Sequence, residues 1–141
     1  MTEYTAIEDS SAPLLSRQAT VVRFSPASAE AMLGRAEKEY RRAGVYRISV
    51  FAADAMSGED EEALVRRILE ASTLQGISPE SNLKYWYLAE AGQLYDLGYP
   101  LLKVNFEDEI PEHYGLGLGN RPTIEDTERI ANLFQARRRD Q

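Results

Sequence analysis

The segment Val45–Ala52 (VYRISVFA) constrains this chain more than any other stretch. Tyr46, Ile48, Val50 and Ala52 alternate with Arg47 and Ser49, which is the period of a strand. Immediately before it lies a different period. Ala29, Met32, Leu33, Ala36, Tyr40 and Ala43 recur at helical spacing, and Gly44 is a natural terminator. Ser25 and Pro26 supply a start signal for that helix. Thr20–Phe24 (TVVRF) reads as a strand ahead of it. Strand, helix and strand joined this closely predict a parallel, right-handed βαβ unit.

The rest of the chain extends the pattern. Ser57 with Asp60 three residues on predicts a helix start, and Leu64, Val65, Ile68, Leu69 and Ser72 form its stripe. Thr73–Asn82 is a polar loop. Leu83–Ala89 (LKYWYLA) is apolar on both faces and suits a central strand. Glu90–Ala91–Gly92 predicts a turn into a hairpin partner, Gln93–Leu97. Leu101–Phe106 is a further strand, Glu107–Asn120 a loop, and Thr123 with Asp126 opens a last helix. The order is β-α-β-α-β-β-β-α. It predicts an α+β or α/β domain with a single-layer mixed sheet of about five strands and three helices. The expected boundaries are a flexible segment over 1–17, one globular domain over 18–136 and a basic tail over 137–141.

Composition then narrows the chemistry. With 141 residues, 43% of them apolar, one core can form without a staple. The chain has no cysteine, so thiol nucleophiles, disulfides and thiolate metal sites are excluded, and a reducing cytoplasm is the expected setting. One histidine cannot make a two-histidine zinc motif. No run is apolar enough to span a membrane. A net charge of −7 opposes nonspecific nucleic-acid binding. No cofactor motif is found, so no cofactor is expected. Gly115, Gly117 and Gly119 precede a helix but lack the Walker lysine and the dinucleotide spacing.

Several charged groups have ordinary structural roles. Glu59–Asp60–Glu61–Glu62 suits the first turn of a helix, complementing its dipole. Arg137–Arg139 complements the end of the last one. His113 stands beside Glu112 and Tyr114, which make no triad, and reads as a surface imidazole. No serine lies in a G-x-S-x-G elbow.

The acidic excess concentrates in the second half, where Glu107, Asp108, Glu109 and Glu112 lie close to six aromatics. These are Tyr85, Trp86, Tyr87, Tyr95, Tyr99 and Tyr114. Tyrosine and tryptophan are favoured at interfaces, and carboxylates steer cationic partners. These ten residues are the expected partner-binding set, on one exposed aromatic face. They point to a small protein-binding module, monomer or homodimer, that occludes a basic protein. A bacterial immunity protein or antitoxin fits that description. The alternatives are a metal-assisted hydrolase built on the carboxylates and His113, and a structural or assembly subunit.

Overall fold

The computed structural model describes residues 15–24, 27–74, 85–102 and 112–138. Its first helix, α1 (Ala29–Ala43), starts where the Ser28 hydroxyl accepts from the Ala31 N–H at 3.1 Å. Ser25 and Pro26, the expected start, lie outside the described residues. Gly44 closes the helix at φ 80°, and its N–H donates to the Tyr40 carbonyl at 2.8 Å. The second helix, α2 (Glu61–Leu74), is started by Asp60, whose carboxylate accepts from the Ala63 N–H. A helix expected from Ser57 therefore begins one turn later. The last, α4 (Ile124–Ala131), has the expected capping box: Thr123 and Asp126 each accept from the other's backbone N–H.

Among the described residues six strands form one antiparallel sheet, and four helices pack on it, an α+β fold. The strands are β1 (Thr20–Arg23), β2 (Arg47–Ala53), β3 (Tyr85–Glu90), β4 (Leu101–Leu102), β5 (His113–Gly117) and β6 (Gln135–Arg138). Their order is β4-β5-β2-β1-β3-β6.

Four expectations change. First, β1 and β2 are antiparallel, with Thr20 opposite Ala53 and Val22 opposite Phe51, so the first unit is not a parallel βαβ. Between the two strands the chain passes through α1, which packs on β2 and on α4, a partner some ninety residues away. Second, the expected hairpin over 90–97 is a helix, α3 (Ala91–Asp96). Ala91, Leu94 and Tyr95 sit at helical spacing, and Ala91 and Leu94 are fully buried. Third, part of the loop over 107–120 is the strand β5. It pairs with β2 on one side and β4 on the other. Gly115 and Gly117 are tolerated there because each faces a long or polar neighbour across β2, Ser49 and Arg47. Fourth, Arg137 and Arg138 belong to β6, which pairs with β3, rather than to a frayed tail.

The sheet is covered on both faces. Val21, Ile48, Val50 and Ala52 pack with Met32 and Ala36 of α1, Leu94 of α3 and Ile130 of α4. Val22, Phe51, Ala53, Trp86 and Leu88 pack with Leu64, Val65 and Ile68 of α2. Each fully buried aliphatic contributes about 1.5–3 kcal/mol. Because β1 is short, the Ser49 carbonyl of β2 has run past its end. The guanidinium of Arg23 donates to that carbonyl at 3.0 Å. Burial, then the nearby charge of Arg35, pulls Arg23 down to about 10, which leaves it charged at neutral pH.

Two glycines of the first helix have opposite reasons for being there. A Cβ on Gly34 meets nothing within 4 Å, and its φ is ordinary. Gly34→Ala should raise stability by about 1 kcal/mol. A Cβ on Gly44 also meets nothing, but its φ of 80° strains any other residue. Gly44→Ala should cost about 1–2 kcal/mol. Urea midpoints of the two variants check this; shifts of the same sign would show that α1 does not end at Gly44.

Candidate functional site

The register gathers four chain segments at one end of the sheet. Thr20 stands opposite both Ala53 and Glu90, and Phe51 stands opposite His113. The end of β2, the end of β3 and the start of β5 therefore lie together, with α2 and α3 starting there. Asp54, Asp60, Glu61, Glu62, Glu90 and Asp96 are all exposed at this end. A cavity of about 280 Å³ opens among Gln18, Thr20, Glu61, Glu90, Gln93 and Arg137. The opposite end, where α1 leads into β2, carries exposed Arg35, Lys38, Arg41 and Arg42.

Arginines organise the acidic end. Arg67 donates to both oxygens of Glu59 at 2.8 and 2.9 Å and to the Asp54 carbonyl at 3.1 Å. It also lies 3.6 Å from Glu112. Glu59 accepts from the Met56 N–H at 2.9 Å as well. Hydrogen bonds from Arg67 and then from that N–H hold the Glu59 carboxyl at about 2, well below its ordinary 4.5. Arg17 grips both oxygens of Asp96 at 3.1 and 2.9 Å, and Ser16 donates to Asp54. Leu15–Arg17 are thus bonded to this end of the sheet.

The expected partner-binding residues do not share one surface. Tyr95, Tyr99 and Tyr114 are half-buried around the same core cluster. The Tyr95 hydroxyl reaches the Leu15 carbonyl at 3.5 Å. Burial, then the charge of Asp54, pushes the Tyr95 phenol up; burial, then Tyr95, Glu112 and Asp54, does the same to Tyr114. Tyr95, Tyr114 and Glu112 therefore belong to the acidic end. Tyr87 is half-buried on the same face, farther along β3. Tyr85 is exposed at the far end of β3. Trp86 is only 5% exposed, on the opposite face under α2, edge-on to Phe24. The single exposed aromatic face is thus not present, because helices cover both sides of β3. Glu107, Asp108 and Glu109 lie outside the described residues.

His113 is not a surface imidazole. It is 7% exposed, stacked on Phe51 at 4.8 Å, with Nε2 2.6 Å from the Ser49 hydroxyl. Reading β5 as a loop hid this contact. Extending the alternation of Arg47 and Ser49 to Phe51 puts Ser49 and Phe51 on one face, which is the signal that could have found it.

Among the described residues no group of three or more histidine, aspartate or glutamate side chains could hold a metal ion. Among them, too, no helix is long and apolar enough to cross a membrane. Comparison of the chain with protein-family models, with curated proteins and with solved structures finds no match.

The low carboxyl of Glu59 gives the site a pH signature. A depressed folded-state value stabilises the fold above about 4.5 and loses that effect as pH falls toward about 2. Glu59→Gln should therefore lower the urea midpoint at pH 7, and the gap from the unaltered chain should close between pH 5 and 2. A gap that stays constant over that range would show that Arg67 is not held through the Glu59 charge.

Proposed function

We propose that this chain is a small acidic protein-binding module that docks a basic partner on the acidic end of its sheet. One observation supports this reading above the others. Six exposed carboxylates from separate segments lie at one end and outnumber the exposed arginines there, Arg17, Arg66 and Arg137, which pair with Asp96, Glu62 and Glu61, while exposed cations of α1 gather at the other. Such a charge arrangement orients and accelerates the approach of a cationic surface. In the cavity lined by Glu61, Glu90 and Arg137, Arg137 already pairs with Glu61 at 3.0 Å, so a lysine or arginine side chain of the partner would enter beside Glu90. Tyr95 and Tyr114 supply half-buried aromatic area beside the charges, the type of residue from which binding hot spots come. In its finer form the proposal is an immunity protein or antitoxin that occludes a basic toxin or enzyme in the cytoplasm.

Charge reversal tests it. Glu62, Glu90 and Asp96 are exposed, and Glu62 and Asp96 hold only surface ion pairs, which contribute about 0–1 kcal/mol. Replacing all three by lysine should leave the fold intact. Captured from a lysate of the source cells, a basic protein should be retained by the unaltered chain. The triple variant should lose that protein at least about tenfold, as should raised salt. Retention of the same proteins by both chains, or only of acidic ones, would overturn the proposal.

A further inference from the structure

We propose that Ser49 and His113 form a nucleophile–base pair able to carry out acyl transfer on small activated esters. The two residues face the same side of adjacent strands. Phe51 opposite His113 fixes the register, which puts Ser49 directly across from Gly115. The Ser49 hydroxyl lies 2.6 Å from Nε2 of His113, within the reach a base needs to take its proton. The imidazole is buried and stacked nearly parallel to the Phe51 ring, at 15°, so its plane is fixed. Ser49 itself is only half-buried, so the base stands behind a hydroxyl that solutes can approach. Gly115 adds no side chain beside that hydroxyl.

The step balances without a further reactant. Ser49 Oγ attacks the carbonyl carbon of the ester as its proton passes to His113 Nε2. The ester C–O bond breaks, and the departing alkoxide takes that proton. Water then attacks the acyl-serine by the same route, giving the carboxylic acid and restoring Ser49. The class of substrate is a small ester with a good leaving group. This activity does not rest on partner docking, although Glu112 and Tyr114 of the acidic end flank His113 along the chain.

A fluorophosphonate is the probe, because an activated serine displaces its fluoride and keeps the phosphonyl group. The full-length folded chain should gain one adduct by intact mass, and peptide mapping should place it on Ser49. Ser49→Ala should gain none. His113→Gln should react about 100-fold more slowly or worse, the loss expected for a removed general base. Thermal melting of each variant shows whether it is folded, and the mapping on the unaltered chain stands even if a variant is not. No adduct on the folded, unaltered chain would overturn the proposal. So would an adduct on a tyrosine, or a folded His113→Gln that reacts at the original rate; in each case the contact is a structural pin.

Discussion

The pairing of β2 with both its neighbours is the constraint on which the rest of the structure depends. Six of its seven residues are buried, and it is hydrogen-bonded to β1 over its second half and to β5 over most of its length. Both of its faces are committed. Ile48, Val50 and Ala52 belong to the core under α1, α3 and α4, while Phe51 and Ala53 belong to the core under α2. A slip of one residue would exchange the two sets and would put Arg47 and Ser49 into the larger cluster. The alternation of Val45–Ala52 forbids that slip.

Function follows from where the strands end. The antiparallel register brings the end of β2, the end of β3 and the start of β5 to one place, and the acidic residues lie just beyond those ends. Arg67 then joins the loop after β2, the start of α2 and the start of β5 through Asp54, Glu59 and Glu112. Part of the acidity is thereby spent on structure. Asp60 caps α2, Glu59 holds Arg67, Asp96 holds Arg17, and Glu61 and Glu62 pair with Arg137 and Arg66. What remains is a surface whose charges come from different segments but share an end, with two half-buried tyrosines between them.

Local signals were legible where a single segment carries them. The strand at Val45–Ala52, the end of α1 at Gly44 and the capping box at Thr123–Asp126 needed nothing beyond their own residues. So did the class, an α+β domain. Three features depend on distant partners and were not legible. The direction of β2 relative to β1 shows only once the two strands are paired, because a strand–helix–strand order does not itself fix it. The strand character of His113–Gly117 depends on β2 and β4 flanking it, because two glycines in five residues carry no strand preference of their own. The helix at Ala91–Asp96 depends on the Ala91 and Gly92 N–H groups donating to the carbonyls of Ala19 and Arg17. The site inherits the same division. Glu112, Tyr95 and Tyr114 were found from composition, but the contributions of Asp54, Glu90 and Asp96, and the contact between Ser49 and His113, exist only once the strands are in register.

The register of β5 on β2 can be measured directly, because the chain has no cysteine of its own. Ser49 and Gly115 are opposite each other and point to the same face, and opposed strand positions lie within the roughly 4.4–6.8 Å between Cα atoms that a disulfide requires. A chain carrying Ser49→Cys and Gly115→Cys should oxidise fully to an intramolecular disulfide, leaving no titratable thiol. A control with Val50→Cys and Gly115→Cys should retain both thiols, since those side chains point to opposite faces. Closure of the control, or failure of Ser49→Cys with Gly115→Cys to close, would contradict the placement of β5 on which both the acidic end and the serine–histidine contact rest.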